Sequence, residues 1–268
     1  MSKSKADLDS RMKHYYEEVP KIKLTRRTPV AIRLDGKAFH TFTRGFDRPF
    51  DLVFRNAMMK TTLELCKNIQ GCVLGYTQSD EITLILVDYN TLTTDAWFDY
   101  EVQKICSVSA SMATLYFNRA FDEEVRLESK DVEADFKNEK LKKLYSTHCA
   151  ALRKGATFDS RCFNIPKEEV ANLILWRQND ASKNSISMAA QTYFSQKELN
   201  KKKSNDMQDM LMLEKGINWN NFSIPEKRGV CCIKVEEGTK TKWIIDKEIP
   251  IFKGEDREYI NNLVYVGE

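Results

Sequence analysis

Residues 75–86 read GYTQSDEITLIL, and this stretch determines how the rest of the chain is interpreted. Apolar and β-branched residues on both sides of a polar centre predict a hairpin, with strands over 72–76 and 82–87. The centre carries two neighbouring acidic residues, Asp80 and Glu81. Turns favour aspartate for backbone reasons alone, but a second acid beside it requires an explanation.

The segments around this hairpin alternate between strand and helix patterns. Residues 28–34 (TPVAIRL) predict a strand that ends at an Asp35-Gly36 turn, and residues 51–69 predict a helix capped by Asp51. A second long helix is expected to begin at Asp95. Farther along, the sequence predicts a strand at 158–166, a helix at 167–194 and a closing hairpin with its turn at 237–238. This order predicts an α+β fold, a mainly antiparallel sheet with helices packed on it.

The chain of 268 residues is long enough for one large domain, and we predict a single domain over 1–268. Two charged segments, at about 122–156 and 195–215, are expected to form helical or charged excursions from it. Lys and Arg number 42 against 39 Asp and Glu, so the overall field is weak and a polyanion site requires local clusters. Basic runs at 21–27, 140–143 and 201–203 either contact phosphates or are solvated faces.

Cysteine and histidine usage bears on the compartment and the metal chemistry. Seven cysteines without a regular framework predict reduced thiols and a cytoplasmic protein. Only three histidines occur and no CxxC motif is present, which argues against zinc. No run of about 18 apolar residues is present, so no contact with the membrane interior is expected.

The aspartates at two predicted strand ends, Asp35 and Asp80, are candidates for a magnesium site. A sheet that places their strands side by side brings both carboxylates to one edge, and Mg²⁺ is typically held by one or two carboxylates together with substrate phosphates. Because neighbouring strand residues face opposite sides, Asp80 is assigned to the metal, and Glu81 supports it or faces nucleotide or RNA. The alternative is that these are ordinary turn residues. A triphosphate site is favoured by the basic residues around the first aspartate, which are Arg33, Lys37, His40, Arg44 and Arg48.

Five stretches together resemble the tRNA-histidine guanylyltransferases and their relatives, the guanylyltransferase-like 3′-to-5′ polymerases. They are RLDGKAFHTF (33–42), GYTQSDE (75–81), FDSRCFNIP (158–166), WRQNDASKNSISM (176–188) and INWNNFSIPEKRG (217–229), in the family's order. The resemblance implies a palm-like catalytic domain that binds two Mg²⁺ ions through Asp35, the Gly36 carbonyl and Asp80. Glu81 is implied as a further catalytic acid.

The same resemblance implies a site for ATP, GTP or another nucleoside triphosphate. Arg48 stands where the family carries a lysine before a proline, and Lys104 and Arg161 match basic positions that the family uses for phosphate. The nucleotide-binding residues implied are Gly36, Lys37, Ala38, Phe39, His40, Arg48, Ser79, Lys104, Arg161 and Asn184.

One marker of the family departs from its usual form. The segment HINNLYN, which eukaryotic members use to select histidine tRNA, aligns with SKNSISM at 182–188, so Ser182 replaces the histidine and Asn184 is retained. This departure favours the branch that repairs 5′-truncated tRNA by template-directed addition. The resemblance also implies tRNA as the partner and a homo-oligomer, with a tetramer expected.

The functional hypothesis is therefore two-metal nucleotidyl transfer at a tRNA 5′ end. Two alternatives stay open: a palm-fold nucleotidyl cyclase with the same acidic residues, and a tRNA-binding protein without catalysis. A polar stripe at helical spacing is expected either to meet RNA or nucleotide or to face solvent. Its members are Arg177, Asp180, Asn184 and Ser187.

Overall fold

One antiparallel sheet lies at the centre of the protein, whose computed structural model describes residues 7–238 and 240–267. Its strands are β1 (Val30–Gly36), β2 (Cys72–Gln78), β3 (Glu81–Leu86), β4 (Phe158–Asn164), β5 (Val230–Glu237) and β6 (Lys240–Asp246). They pair in the order β4-β1-β3-β2-β5-β6. The hairpin of β2 and β3 therefore lies in the middle of the sheet, directly beside β1.

Helices cover both faces of this sheet. They are α1 (Leu8–Met12), α2 (Phe39–Phe42), α3 (Leu52–Asn68), α4 (Val102–Ala134), α5 (Glu139–Lys154), α6 (Lys167–Tyr193), α7 (Ser204–Lys215), α8 (Ile224–Arg228) and α9 (Glu258–Val264). A π-helical turn follows α1 at Lys13–Glu17, and 3-10 turns lie at Trp97–Tyr100, Trp219–Asn221 and Gly254–Arg257. Within the described ranges no helix combines the length and apolar character needed to cross a membrane.

Alternation along β1 divides the structure into two cores. Ile32 and Leu34 point to one face, where they pack with α3 and α4 in a core rich in phenylalanine. Ala31 points to the opposite face and packs with apolar residues of α6 and α9. Arg33 and Asp35 share the face of Ala31, because they follow it at every second position. The end of β1 thus presents polar side chains towards α6.

A buried charged group joins α3, α4 and α5. Asp51 caps α3 by accepting a hydrogen bond from the Phe54 N–H (2.9 Å). The imidazole of His148, which is fully buried, lies 3.0 Å from Asp51 Oδ2 through Nε2 and 2.7 Å from Glu128 Oε2 through Nδ1. Burial lowers the pKa of His148, but the hydrogen bonds and charges of Asp51 and Glu128 outweigh it and raise that pKa to about 9. The imidazole is therefore a cation at neutral pH that ties three helices together.

The sheet confirms the predicted strands but corrects where several of them begin or end. β1 does not stop before an Asp35-Gly36 turn, because Asp35 pairs with Glu81 and Asp159 and Gly36 pairs with β4. The hairpin strands also reach farther towards each other than predicted, and only Ser79 and Asp80 remain as the turn. Glu81 is consequently the first residue of β3 rather than part of the turn.

The helices follow the prediction closely except at the start of α4. The cap at Asp51 and the span predicted for α6 are confirmed. The helix expected from Asp95 begins only at Val102, because Phe98 and Asp99 adopt left-handed backbone angles (φ 51° and 50°) that a right-handed helix cannot contain.

The two charged segments are helical in the structure. Residues 122–156 form the end of α4 and all of α5, and Val125 and Ala151 are buried in the same core as β1. Residues 195–215 contain α7, whose Leu211 packs with Phe194 and Leu199 in a small separate cluster.

Replacing His148 by glutamine tests the buried charged group. The variant leaves Asp51 and Glu128 buried without a cation, so we expect a loss of roughly 3 kcal/mol in the unfolding free energy near neutral pH. Because the folded pKa of about 9 lies above the ordinary 6.5, the advantage of the wild type is full below pH 6.5 and shrinks as the pH rises through 9. Urea unfolding of both proteins across this pH interval measures the difference.

The control for this experiment is His14→Gln. His14 also contacts a carboxylate, Glu18, at 2.7 Å, but its side chain is 69% exposed, so its loss should change stability little. A stability difference for His148→Gln that is small, or that does not fall as the pH rises, would contradict a buried imidazolium.

Candidate active site

Three acidic side chains lie next to each other across three strands. Asp35 on β1 is the register partner of Glu81 on β3 and of Asp159 on β4, so their side chains share the face that points towards α6. The Gly36 N–H donates a hydrogen bond to the Asp80 carbonyl oxygen (3.1 Å), which holds the turn against the end of β1. Asp80 is thereby placed beside Asp35, as the sequence predicts for a shared site.

The carboxylates of Asp35 and Asp80 repel each other. Burial, followed by the charges of Glu81 and Asp159, raises the pKa of Asp35 above its ordinary value. Burial also raises the pKa of Asp80, and the charge of Asp35 adds to it, although Ser79 Oγ donates a hydrogen bond to Asp80 Oδ1 (3.1 Å). Two such carboxylates favour a bound cation, which would remove the repulsion.

The donor set fits Mg²⁺ better than a metal with an all-protein cage. Over residues 7–238 and 240–267, no group of three or more His, Cys, Asp and Glu side chains is positioned to hold a metal ion. Mg²⁺ is typically bound by one or two carboxylates and completes its shell with water and substrate phosphates. The Gly36 carbonyl oxygen is a further donor that could serve such an ion, and a larger residue is excluded there because a Cβ would collide with the ring of Phe39.

Glu81 has different partners from the two aspartates. Its Oε1 accepts hydrogen bonds from Arg33, with Nε at 3.0 Å, and its Oε2 accepts one from Arg177 Nη2 at 2.6 Å. Arg177 also donates to Asp180 Oδ2 (2.9 Å) and is buried. Both guanidinium groups lie near the ring of Trp176, at 5.3 and 4.3 Å from its centroid. Glu81 is therefore neutralised by arginines and supports the site from the side.

A cavity of about 500 Å³ opens beside Asp80. Its walls come from α2, the loop before α3, the hairpin turn and the second half of α6. Three basic side chains line it, His40, Arg44 and Arg48, and all three are exposed. Such a cavity can accept a polyphosphate whose negative charge meets the three side chains while its end reaches the acidic pair. A smaller cavity of about 90 Å³ shares Ser79 with it and is lined by Asn184 of α6.

A profile match over the N-terminal part of the chain establishes its family. The profile of the tRNAHis guanylyltransferases matches residues 9–166, more than half of the 268 residues. The chain belongs to the tRNAHis guanylyltransferase family. It is 26% identical to the probable tRNA(His) guanylyltransferase of Dictyostelium discoideum over 252 residues, which cover 89% of this chain and 86% of the relative. It is 28% identical to the Saccharomyces cerevisiae enzyme over 216 residues, which cover 75% and 80%.

Solved structures of this family agree with the fold. A bacterial tRNA(His) guanylyltransferase-like protein in complex with ATP is 43% identical, with a TM-score of 0.78 over 97% of this chain and 99% of that one. Such a protein in complex with GTP is 40% identical, with a TM-score of 0.75 over 96% and 99%. The Saccharomyces cerevisiae structure, at 22% identity and a TM-score of 0.60 over 81% and 91%, shares the fold. The predicted palm-type α+β fold and nucleotidyltransferase class are confirmed, and the like-protein branch fits the bacterial structures.

Of the remaining residues that the sequence predicts to bind nucleotide, four lie near the acidic pair or the cavity and one does not. Lys37 and Ala38 lie on the exposed turn after β1, and Phe39 forms the buried side of the cavity. Arg161 on β4 contacts Asp159 (3.0 Å) and lowers the pKa of Asp35, against the stronger effect of burial. Lys104 is not brought to the cavity, because it lies exposed at the start of α4 with its ammonium group over Phe98.

The sequence did not predict the positions of Asp159 and Arg177 at the site. Asp159 lies in the family stretch 158–166, but only the pairing of β4 with β1 shows that it faces Asp35. Arg177 was predicted within a polar stripe, yet it is buried against Glu81 rather than facing solvent. Spacing along the chain cannot identify this contact, because Glu81 lies on β3 and Arg177 lies on the distant helix α6.

Substitution of Arg177 by methionine tests whether Glu81 needs both arginines. The change leaves Glu81 and Asp180 with one partner fewer in a buried setting, so we expect a loss of roughly 3 kcal/mol in stability together with weaker catalysis. Arg161→Met is the matched control, since the Arg161 side chain is 57% exposed and its ion pair should contribute less than about 1 kcal/mol. Thermal unfolding of both variants is the measurement, and equal shifts would contradict the assigned difference.

Proposed function

We propose that this protein adds nucleotides to the 5′ end of tRNA in the 3′-to-5′ direction, with the opposite strand as template. The observation that carries the proposal is the pair of repelling carboxylates, Asp35 and Asp80, beside a cavity lined by basic side chains. The bacterial relatives solved with ATP and GTP support nucleotide binding at this fold. Ser182, in place of the histidine of HINNLYN, favours repair of truncated tRNA over selection of histidine tRNA.

Two Mg²⁺ ions complete this proposal. Asp35, the Gly36 carbonyl and Asp80 would hold them, because these are hard oxygen donors and burial keeps the pKa of both carboxylates raised, although Arg161 and Arg33 act on Asp35. When bound, the ions would lower the pKa of an attacking hydroxyl and stabilise the charge of the leaving group.

The protein's own side chains bind and orient the substrates. His40, Arg44 and Arg48 meet the triphosphate of the incoming nucleotide, and Ser79 lies where it can contact the same phosphates. The 3′-hydroxyl oxygen of that nucleotide then bonds to the α-phosphorus of an activated 5′ end. The bond from this phosphorus to pyrophosphate or AMP breaks, and the hydroxyl proton passes to solvent. Holding both substrates in line contributes much of the rate enhancement in phosphoryl transfer.

Assembly and location extend the proposal. We expect a homo-oligomer, with a tetramer preferred from the resemblance, and a single catalytic domain in the cytoplasm. The first described segment supports association, because large apolar side chains are exposed there. They are Leu8, Met12, Tyr15, Tyr16, Val19 and Ile22.

Asp80→Asn should remove nucleotide addition while the protein keeps its fold and its affinity for tRNA. We expect a loss of at least roughly a hundredfold in the rate, since even residues one step removed from a metal cost 10-fold to 100-fold. Asp256→Asn, which removes an exposed acid in the 3-10 turn before α9, is the control. Near-normal turnover by Asp80→Asn would show that this carboxylate is not required.

The deciding experiment offers a tRNA that lacks its first nucleotide, all four nucleoside triphosphates and Mg²⁺. The proposal predicts addition of the Watson-Crick partner of the opposite base, and the added base should change when the opposite base is changed. Addition of G regardless of the template, on histidine tRNA alone, would instead identify histidine tRNA guanylylation. A cyclic nucleotide formed from ATP or GTP without RNA would identify a cyclase.

A further inference from the structure

A second depression lies directly beside the catalytic cavity. It has a volume of about 910 Å³ and is formed by the end of α6, residues 194–203 and the start of α7. Arg48 and Gln191 line both this depression and the cavity that contains Asp80. The two depressions are therefore neighbours, and a polymer that ends in the catalytic cavity can extend towards the second one past Arg48 and Gln191.

The depression is basic. Arg48, Lys197 and Lys201 line it, and among residues 7–238 and 240–267 no acidic side chain does. The segment contains two acids nearby, but each binds the backbone: Glu198 accepts from the Ser195 N–H (2.7 Å), and Asp206 accepts from the Lys203 N–H (2.8 Å). The lysines are thus presented to solvent while the acids stabilise the loop and the start of α7.

Several members of the other basic runs are paired with acids. Arg26 contacts Asp88 at 2.6 Å, and Lys140 contacts Asp47 at 3.2 Å. Within residues 7–238 and 240–267, neither Lys197 nor Lys201 forms an ion pair. Lys197 and Lys201, which lie next to the catalytic cavity, are therefore free to meet an external polyanion.

Buried apolar side chains pack the segment that carries these lysines against α7. Phe194 and Leu199 are buried and pack against Leu211 of α7. Lys201 itself adopts a left-handed backbone conformation (φ 63°), which is uncommon for a residue with a side chain and is held here by the surrounding turn. The amide side chains of Gln191, Gln196 and Asn200 line the same surface and can donate to phosphate and ribose oxygens.

We propose that this depression binds the phosphate backbone of the RNA whose 5′ end is extended at Asp35 and Asp80. This inference rests on the proposed function and names the surface that the RNA uses. A free nucleoside triphosphate is a poorer occupant, because the catalytic cavity already provides His40 and Arg44 for its phosphates, whereas the depression lies outside that cavity and adjoins it at Arg48 and Gln191. The interaction is electrostatic and independent of base sequence.

Lys197→Gln combined with Lys201→Gln tests the proposal. Binding of a 5′-truncated tRNA is measured by fluorescence anisotropy between about 50 and 200 mM salt, together with binding of ATP in the presence of Mg²⁺. Loss of two phosphate contacts should weaken RNA binding by roughly tenfold or more near 100 mM salt, and should reduce the slope of log K against log salt by about 1.5. ATP affinity should remain that of the wild type.

The control is Lys240→Gln combined with Lys242→Gln. These lysines are exposed on β6, at the edge of the sheet farthest from β4 and well separated from β1 in strand order. The double substitution removes the same net charge as Lys197→Gln combined with Lys201→Gln. The proposal is overturned if RNA binding by Lys197→Gln/Lys201→Gln is unchanged, if the control weakens it equally, or if ATP binding is lost instead. Nucleotide addition by the wild type is scored separately, so a failure of the proposed function is distinguished from a failure of this surface.

Discussion

The register between β1 and β3 is the constraint on which the site depends. It sets Asp35 opposite Glu81, and the hydrogen bond from the Gly36 N–H to the Asp80 carbonyl oxygen adds the turn residue to the same edge. Acids placed this close repel each other, so the arrangement costs stability until a cation or an arginine compensates it. The apolar residues that precede them, among them Ile32 and Leu34, are completely buried and fix the register, since a slip of one residue would turn them to the opposite face.

The acids of the site are compensated in two different ways. Glu81 is enclosed by Arg33 and Arg177, which satisfies both of its oxygens within the protein. Burial keeps the pKa values of Asp35 and Asp80 raised, and it outweighs the effect of the arginines near Asp35, which leaves both carboxylates for an ion brought with the substrate. Asp51, which lines the cavity, caps α3 and contacts His148. The arginines thus hold Glu81 at the sheet, and a buried imidazolium holds the part of the cavity wall at Asp51.

The local pattern of apolar, polar and capping residues was sufficient to predict most of the secondary structure. The apolar alternation around residues 75–86 predicted β2 and β3, and the position of Asp51 predicted the start of α3. The predicted end of β1 was wrong. Asp-Gly is a common turn pair, but here pairing with β3 and β4 extends the strand through Asp35 and Gly36. The predicted start of α4 was wrong because a left-handed backbone conformation at a residue such as Phe98 has no reliable signature in a single sequence.

Contacts between distant segments account for what the sequence could not show. The prediction that Asp35 and Asp80 share one edge came from their positions at strand ends, and the structure brings the two together. Nothing in the spacing of residues indicated that His148 lies between Asp51 and Glu128, or that Arg177 of α6 reaches Glu81. Such partners are selected by packing of whole helices, which residue patterns constrain only weakly.

The most direct measurement is the position of a divalent ion at the acidic pair. Crystals grown with Mn²⁺ and ATP, examined by anomalous scattering, should show the metal between the carboxylates of Asp35 and Asp80, and Asp35→Asn should weaken or remove that signal. A metal bound at Glu81 or elsewhere, with Asp35 and Asp80 free of metal, would contradict the account.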